Sequence, residues 1–398
     1  MKILLIDVNC KSGSTGKLVY DLYSEINKNG DEAAIAYGRG KIIKEKNIFK
    51  FGIRLETNFH VLMNRLTGIH GSFSLFSTLR LINFIKRFKP EIIHLHELHG
   101  YFLNIVTLLK FLKRTRIKII WTFHCEYMYE GKGFNFSSHY NSSLNRKNEY
   151  PKSLFFDLSR WTVKRYQKTL ENFPDLHIIT PSIWLLNNVK QSYLSKYSHK
   201  VIKNGVNQDI FKPSNYHGLL LKYKIPINKK IVLTVAPDFT DTRKGGKIFL
   251  EVAKKILKLD SNYVFIMVGN NNYLNFPSNI ISIPRTSNQV ELAKLYSLAD
   301  VFLITSLLEN FPTTCIEALS CGTPIIGFKG GGTEETAPSP FGYFFEKDEI
   351  DELIDLILNS FQLFNNKKML NSLLKYAQEN LSKNKMMDNY YNLYKELL

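Results

Sequence analysis

The sequence of 398 residues has few cysteines and no long apolar run. No two of its cysteines form a C-x-x-C pair or show the spacing of a zinc site; they are Cys10, Cys125, Cys315 and Cys321. This excludes a disulfide-stapled secreted domain and favours a reduced, cytosolic protein. No stretch approaches the roughly 20 apolar residues that span a bilayer. The apolar run at residues 3–6 is too short for a signal-peptide core and predicts a strand.

Two familiar phosphate-binding motifs are also missing. In the loop at residues 11–17, a P-loop or a G-x-G-x-x-G motif would need glycine where the chain has Lys11. A G-x-x-G remains, from Gly13 to Gly16 with Thr15 between them. Backbone amides at such a strand-to-helix loop can meet a phosphate, and a plain tight turn is the alternative.

Acidic residues are scarce in the first half of the chain. Residues 1–210 hold 32 basic and 16 acidic residues, a net charge of +16, whereas the remainder of the chain holds 21 and 19, a net charge of +2. Such a basic half suits a nucleic acid, an anionic membrane surface or an anionic substrate, and background basicity is the bland alternative. Signatures of nucleic-acid recognition are missing, so we expect no nucleic acid partner.

Short apolar runs alternate with amphipathic stretches, and the pattern starts again in the second half. The predicted strands lie at residues 3–8, 33–37, 92–96, 117–123, 176–180, 231–236, 263–268, 280–283, 301–304 and 324–328. Helical patterns lie between them, as at residues 17–28, 78–88, 102–112, 247–258, 290–298 and 314–320. Because the runs do not alternate with polar residues, the predicted sheets are parallel and covered on both faces. Two rounds of this pattern predict two doubly wound α/β domains.

A group of histidines marks the ends of two predicted strands. His94 and His96 are two positions apart and therefore share a face, and His124 ends the next strand. Open α/β sheets bind their ligands at this edge. Zinc ligation by the three rings and simple packing of His94 stay open as alternatives.

The loop after residues 301–304 carries two acids around a helix start. Glu309 lies in the loop and Glu317 in the helix that begins near Thr314. Free amides and the positive end of the helix dipole suit a diphosphate, and carboxylates suit hydroxyl groups. Alternatively, Thr314 and Glu317 form a capping box with no ligand. Earlier in the chain, Arg243 and Lys244 precede glycines and a helix, where cations can meet a phosphate.

These motifs resemble those of the family 4 glycosyltransferases over nearly the whole chain. Glu309 and Glu317 match the family's E-x7-E motif, and residues 203–213 are similar to its N-G-v-d-F-x-P segment. Arg243-Lys244-Gly245 and Gly331-Gly332-x-x-Glu335 fit as well. Residues 94–96, 149–157 and 309–313 resemble a branch that builds bacterial exopolysaccharide, lipopolysaccharide and O-antigen. The chain departs from many members in having Pro237-Asp238 near the place of a phosphate-binding arginine, for which Arg243 is the candidate substitute.

The resemblance implies a retaining enzyme of the GT-B fold, with two Rossmann-like domains facing across a cleft. Residues 1–204 form the acceptor-side domain, joined by a returning helix at residues 384–398, and residues 205–383 bind the nucleotide-sugar donor. The catalytic residues are then His124 and Glu309. The donor-binding set is Gly13, Thr15, Gly16, Arg243, Lys244, Glu309, Asn310, Phe311, Pro312, Thr313 and Glu317, and the acceptor lies near His94, His96 and His99. Fixed cations replace the ion of a D-x-D motif, so no metal or other cofactor is expected.

By the same resemblance the acceptor is a lipid-linked oligosaccharide and the enzyme sits on the cytoplasmic face of the membrane. Two basic clusters fit an anionic surface: Lys41, Lys44, Lys46, Lys50 and Arg54, and Lys110, Lys113, Arg114, Arg116 and Lys118. Phe49 and Phe51 within the first cluster are expected to insert into lipid, with filling of the core as the alternative. A nucleotide-sugar epimerase of the same fold is the alternative function.

Overall fold

The computed structural model describes residues 1–133, 149–273, 275–364 and 366–398. The chain divides into two compact units. The first unit consists of Met1–Ile202 and Met387–Leu398, and the second of Lys203–Met386. Each unit is built on its own parallel sheet.

The first unit holds a seven-stranded sheet in the order β3-β2-β1-β4-β5-β6-β7, in which every neighbouring pair is parallel. Its strands are β1 (Lys2–Asp7), β2 (Glu32–Tyr37), β3 (Ile48–Lys50), β4 (Ile92–Leu95), β5 (Lys118–Thr122), β6 (Leu176–Thr180) and β7 (Ser198–Val201). Its helices are α1 (Gly13–Lys28), α2 (Arg54–Thr67), α3 (Leu75–Phe88), α4 (Ile105–Leu112), α5 (Tyr127–Glu130), α6 (Ser159–Leu170) and α7 (Ile183–Lys190).

The second unit holds a six-stranded parallel sheet in the order β10-β9-β8-β11-β12-β13. Its strands are β8 (Lys230–Asp238), β9 (Tyr263–Asn270), β10 (Ile280–Ile283), β11 (Val301–Ile304), β12 (Ile325–Phe328) and β13 (Gly342–Phe345). Its helices are α8 (His217–Lys222), α9 (Gly246–Leu259), α10 (Gln289–Leu298), α11 (Thr313–Ser320), α12 (Ile350–Phe364) and α13 (Lys367–Asn380). The helix α14 (Lys383–Leu397) follows.

The central strands are buried on both faces, as their unbroken apolar runs predict. Every residue of β4 and β11 is buried, and so are five of the six residues of β1. The prediction of two doubly wound parallel α/β domains is therefore confirmed. Three further strands, β3, β7 and β13, were not predicted, because each is short and none is fully buried.

Residues 387–398 pack against the sheet of the first unit through tyrosines. The Tyr390 hydroxyl lies 3.1 Å from the Thr122 hydroxyl, at the end of β5. The Tyr394 hydroxyl lies 2.7 Å from Nδ1 of His94, in β4. Both tyrosines are fully buried, so this segment closes part of the core of the first unit.

Within the described part of the chain, no helix has both the length and the apolar content that crossing a bilayer requires.

Candidate active site

The two sheets each have a point where the strand order reverses. In the second unit β8 and β11 are neighbours, but β8 leads to β9 on one side and β11 leads to β12 on the other. The helices that follow them therefore leave on opposite faces, and a crevice opens at the carboxyl ends of the two strands. The loops after β8 and β11 are the ones that carry Lys244 and Glu309.

A tight turn brings the first of these loops against the second. Gly245 has a φ of +65°, and a Cβ there would lie 1.9 Å from the Thr305 carbonyl oxygen. Only glycine fits both the left-handed backbone and this close approach. The Thr305 hydroxyl donates to the Lys244 carbonyl at 3.1 Å, and the Leu307 amide donates to the Arg243 carbonyl at 2.7 Å. The main chain thus fixes Lys244 beside the loop after β11.

Lys244 and Glu309 form an ion pair at this junction. The ammonium nitrogen lies 2.5 Å from Oε1 of Glu309, and both side chains are largely buried. Partial burial makes such a charge-assisted contact stronger than one at the surface. The structure therefore brings together a predicted phosphate-binding cation and a predicted catalytic acid.

Arg243 has a different partner. Its Nε lies 3.1 Å from both carboxylate oxygens of Asp241, and its Nη2 lies 2.6 Å from Oδ2. Asp241 also accepts from the Arg243 amide at 3.0 Å, so it caps the short turn that holds both residues. The Arg243 guanidinium is thus held by a fork-shaped pair, whereas Lys244 reaches Glu309.

A glycine loop holds the backbone of Glu309. The Glu309 amide donates to the Gly330 carbonyl at 3.3 Å, and the Gly332 amide donates to the Glu309 carbonyl at 2.9 Å. Gly331 lies between them with a φ of +69°, and a Cβ on it would meet the Glu309 carbonyl oxygen at 2.1 Å. The glycines of this predicted loop therefore fix the position of the Glu309 main chain beyond the carboxyl end of β11.

Helix α11 begins at Thr313, directly after Pro312. Its N-cap residue, Pro312, makes no side-chain hydrogen bond to the first turn, so the amides of Thr313 and Thr314 are suited to donate to an anion. Asn310 and Phe311 are buried just before it. Asn204 donates from its amide to the Phe311 carbonyl at 3.4 Å, and the Lys203 ammonium lies 5.9 Å from the Phe311 ring centre.

The alternative of a capping box formed by Thr314 and Glu317 is wrong. Helix α11 starts one residue earlier, at Thr313, so Thr314 lies inside the helix and its side chain does not cap it. Glu317 instead accepts a hydrogen bond from the Tyr296 hydroxyl at 2.9 Å. Burial raises the pKa of Tyr296 well above its ordinary value, and the Glu317 carboxylate adds to the rise. Tyr296 therefore remains a proton donor that orients Glu317.

The first unit has its own reversal point between β1 and β4. Helix α1 begins at Gly13, four residues earlier than the predicted start at residue 17, so Thr15 and Gly16 lie in its first turn. A Cβ on Gly16 would lie 3.2 Å from the main chain of Asn9. The G-x-x-G segment is therefore a close contact between the loop and the start of α1.

A buried acid that the sequence analysis missed lies beneath this loop. Asp7, the last residue of β1, accepts from the Thr15 hydroxyl at 3.2 Å and from the Glu97 amide at 3.1 Å. Burial, with the Glu97 carboxylate nearby, raises the pKa of Asp7 from 3.8 to about 7. Its position at a strand end was the signal that could have found it.

His94 has the contacts of a packed histidine. Nε2 lies 2.8 Å from the Thr122 hydroxyl, and Nδ1 is held by Tyr394. Burial lowers the pKa of His94 to about 3. Because both ring nitrogens are occupied, the zinc alternative with His94, His96 and His124 as ligands is wrong. The expectation that His94 and His96 share a face holds, since their ring centres are 4.0 Å apart.

His96 and His124 lie just after the carboxyl ends of the neighbouring strands β4 and β5. Nδ1 of His96 is 3.4 Å from Nε2 of His124, and the rings are stacked. Nε2 of His96 is buried and has no hydrogen-bond partner among the described residues. A buried polar atom of this kind marks a place for a ligand hydroxyl or a water. Burial lowers the pKa of His124, which favours the neutral ring.

His99 forms an ion pair with Glu97, and Cys125 is nearby. Burial lowers the pKa of His99, but the Glu97 carboxylate outweighs it and holds that pKa well above the ordinary value. The Cys125 sulfur lies 3.8 Å from the Glu97 carboxylate and 3.9 Å from Nε2 of His99. Potential metal-ligand atoms of the three residues lie within 4.8 Å of one another, and no other such group occurs in the described chain.

The comparisons with known proteins agree with these motifs. A family model described as Glycosyltransferase Family 4 matches residues 15–210, and one described as Glycosyl transferases group 1 matches residues 221–380. The chain belongs to the family 4 glycosyltransferases. It is thus an enzyme that transfers a sugar, and its two-sheet architecture is the GT-B fold of solved glycosyltransferases.

Relatives of this glycosyltransferase cover most of its length. A glycogen synthase of Mycoplasma mobile is 25% identical, over 95% of this chain and 96% of that protein. The putative colanic acid biosynthesis glycosyl transferase WcaC of Escherichia coli K12 is 21% identical, over 89% and 90%. The solved structure of Anabaena HepE in complex with UDP superposes with a TM-score of 0.67 at 14% identity, covering 100% of both chains.

Proposed function

We propose that this glycosyltransferase moves a sugar, with retention of configuration and without a metal ion, from a nucleotide-sugar donor to a lipid-linked saccharide acceptor. The product would serve a bacterial surface polysaccharide. The observation that carries the proposal is the contact of Lys244 with Glu309 beside the start of helix α11, whose N-cap residue is a proline. A cation, an acid and free amides at one reversal point are the groups that a sugar diphosphate needs.

The donor would lie along the loops after β8 and β11. Glu317, oriented by Tyr296, would accept hydrogen bonds from the ribose hydroxyls, and Glu309 would accept them from the transferred sugar. Lys244 and the amides of Thr313 and Thr314 would meet the diphosphate. That UDP is bound in the HepE structure supports a nucleoside diphosphate as the leaving group.

In the reaction, the bond between the anomeric carbon and the diphosphate oxygen breaks while a bond to the acceptor oxygen forms. The acceptor hydroxyl loses its proton, which passes to the leaving diphosphate. Lys244 and the dipole of α11 would stabilise the charge that develops on that oxygen. His124, whose lowered pKa favours the neutral ring, would accept a hydrogen bond from the sugar or the acceptor.

The acceptor would bind on the first unit near His96 and His99. The orphaned Nε2 of His96 supports a hydroxyl-bearing ligand there, whereas the contacts of His94 assign it to packing. The likeness to WcaC supports an acceptor of surface-polysaccharide synthesis. Such acceptors are held in a membrane, and the net charge of +16 in residues 1–210 supports contact with an anionic leaflet.

Glucan extension is the second candidate function, because the glycogen synthase match runs over 95% of the chain. That reaction needs a soluble glucan primer instead of a membrane-borne acceptor. The third candidate, a nucleotide-sugar epimerase, would change the donor without an acceptor.

One experiment separates the three candidates. UDP-, GDP-, ADP- and dTDP-sugars are first screened for thermal stabilisation, since a ligand at 100 times its Kd stabilises by about 2.7 kcal/mol. The radiolabelled form of the stabilising donor is then incubated with a bacterial lipid extract, with glycogen, or alone. Label in the organic phase supports the proposal. Label in glycogen, or an isomerised donor with neither acceptor, contradicts it.

A further inference from the structure

Helix α2 has its apolar residues on the outside. Leu55, Phe59, Leu62 and Leu66 recur at intervals of four, three and four residues and therefore form one stripe. All four are exposed, Leu55 at 80%. The buried side of the same helix is polar and contains Thr57, His60 and Asn64. An ordinary surface helix has the reverse arrangement.

Hydrogen bonds hold α2 in this orientation. Nδ1 of His60 lies 2.9 Å from the Ser74 hydroxyl, and its Nε2 accepts from the Gly71 amide at 3.0 Å. The Asn64 amide group donates to the Lys152 carbonyl at 2.9 Å. Rotating the apolar stripe inward would leave these buried groups without partners, and each costs about 1–3 kcal/mol. The outward stripe is therefore a fixed feature of the first unit.

The stripe continues onto two neighbouring segments. Glu56 of α2 accepts hydrogen bonds from the Phe76 and Ser77 amides, which ties α2 to the start of α3. The Leu154 amide donates to the Arg65 carbonyl at 2.7 Å, which ties residues 150–161 to the end of α2. We call the exposed apolar side chains of these three segments the apolar face: Leu55, Phe59, Leu62, Leu66, Leu75, Phe76, Leu79, Tyr150, Leu154, Phe155, Phe156, Leu158 and Trp161.

Most of the large apolar side chains that are exposed in the described residues belong to the apolar face. It holds 13 of the 22 large apolar side chains that are exposed in the described residues. So many exposed apolar side chains on three segments that hydrogen bonds tie together mark an interaction site, because their contact with water is unfavourable.

The surroundings of the apolar face are basic. Residues 54–80 and 150–168 together contain eight lysines and arginines against two acids, a net charge of +6. Both acids have partners within the unit: Glu56 binds the start of α3, and Asp157 lies 3.6 Å from the ammonium of Lys132. The outer basic residues, among them Arg54, Arg80, Lys152, Arg160 and Lys164, are exposed.

We propose that the apolar face inserts into the headgroup region of an anionic lipid bilayer, with the surrounding lysines and arginines on the lipid phosphates. The inference takes its partner from the proposed function and assigns that partner a surface. An apolar stripe rich in Leu, Phe and Trp with a basic border is the composition of helices that lie in a membrane interface. A second copy of this chain would instead bring its own net charge of +6 against the same border, which repels it.

This surface differs from the one that the sequence predicts. Of the two phenylalanines in the basic segment at residues 41–54, Phe51 is completely buried and packs on Phe102, and Phe49 stacks on Phe84 at 4.7 Å. The expectation that they insert into lipid is therefore wrong for Phe51. The exposed Lys41, Lys44 and Lys46 contribute charge alone.

The test is binding of the full chain to vesicles of phosphatidylcholine with phosphatidylglycerol, measured by co-sedimentation. The double variant Leu55→Asp, Phe156→Asp adds two charges to the apolar face at highly exposed positions. The matched control Leu221→Asp, Ile227→Asp adds two charges to equally exposed positions of the second unit. We expect vesicle affinity to fall at least tenfold in the first variant and to be unchanged in the control.

A charge-only variant completes the design. Arg160→Gln with Lys164→Gln should weaken binding at low salt and flatten its salt dependence, because it removes only the screened part of the interaction. Failure of the wild type to bind the vesicles would overturn the inference. Equal vesicle affinity in wild type and the Leu55→Asp, Phe156→Asp variant would overturn it as well. A wild-type dimer that this variant dissociates, with vesicle binding unchanged, would also overturn it. Stabilisation by the panel of UDP-, GDP-, ADP- and dTDP-sugars is measured in parallel, and its absence with every donor would count against the proposed function instead.

Discussion

The ammonium nitrogen of Lys244 lies 2.5 Å from a carboxylate oxygen of Glu309, across 65 residues of sequence. The sequence predicts that the two residues bind different parts of the donor: Lys244 binds the diphosphate, and Glu309 binds the transferred sugar. In the structure they neutralise each other. A bound donor must therefore share Lys244 between its diphosphate and Glu309, which couples donor binding to the charge of the acid.

This coupling predicts that Glu309→Gln separates binding from transfer. The variant leaves the charge of Lys244 uncompensated, so we expect it to bind the nucleoside diphosphate at least as tightly as wild type. Transfer should fall by about 100-fold or more, because a preorganised charge at the reacting sugar is lost. Isothermal titration and single-turnover transfer measure the two effects.

The matched variant for this pair is Lys244→Met, which keeps the length of the side chain. It should weaken diphosphate binding by about tenfold or more, since a charged hydrogen bond contributes about 1.5–3 kcal/mol. Weaker diphosphate binding by Glu309→Gln than by wild type would contradict the shared-cation argument.

Substitutions of Glu317 and Tyr296 should weaken nucleotide binding to different extents. Glu317→Gln should weaken nucleotide binding strongly, because it removes the charged acceptor of the ribose hydroxyls. Tyr296→Phe removes only the hydroxyl that orients Glu317, so we expect a smaller loss of about three- to tenfold, in line with one hydrogen bond. The ring packing of Tyr296 on Phe302 is kept in that variant. Unchanged nucleotide affinity in Glu317→Gln would refute the ribose assignment.

Two histidines should respond in opposite ways to substitution by alanine. His124→Ala should melt near the wild-type temperature and transfer poorly, because His124 follows the carboxyl end of β5 and is not fully buried. His94→Ala should destabilise the fold by about 1–3 kcal/mol, because Thr122 and Tyr394 lose a buried partner. Melting curves and turnover are measured on both. Full activity in His124→Ala would remove that residue from the catalytic set.

The raised pKa of Asp7 predicts that the free energy of unfolding depends on pH in an unusual way. Its pKa is raised from 3.8 to about 7 in the folded chain, so between these pH values the folded state keeps a proton that the unfolded state releases. Stability from this group is therefore present below pH 4 and lost as the pH rises towards 7, by at most about 4 kcal/mol. Asp7→Asn cannot titrate, so wild type should lose stability relative to it over this range. Denaturant unfolding at several pH values measures the difference, and a constant difference would contradict the shift.

Metal independence is the remaining prediction. Transfer should continue in excess EDTA, because Lys244 and the start of α11 supply the positive charge. Activity that EDTA removes and manganese restores would contradict this. Glu97, His99 and Cys125 are the described residues placed to hold an ion, so Cys125→Ser should abolish any such metal dependence.

The sequence predicts the parts of the fold that depend on unbroken apolar runs. Strands such as β9 and β11 lie where continuous burial demands apolar residues. The family motifs single out Lys244 and Glu309, and the structure places the two residues in contact. Edge strands such as β7, with partly exposed residues, lack that signal. Local spacing therefore identifies the centres of the sheets better than their edges.

Long-range contacts explain what the sequence could not predict. The spacing of Thr314 and Glu317 fits a capping box, but Glu317 bonds to Tyr296 in another helix. The spacing of Leu55, Phe59 and Leu62 fits a helix facing the core, but hydrogen bonds of His60 and Asn64 to distant residues turn the stripe outward. Side-chain partners that are remote in sequence decided both cases.

The contact between His94 and Tyr394 also has a consequence for biosynthesis. The ribosome synthesises His94, in β4, 300 residues before Tyr394, whose hydroxyl contacts the His94 ring. Throughout that interval the nascent first unit has a gap in its core at His94 and Thr122, where Tyr390 and Tyr394 will pack. The core of the first unit can therefore be completed only after the whole second unit has been synthesised.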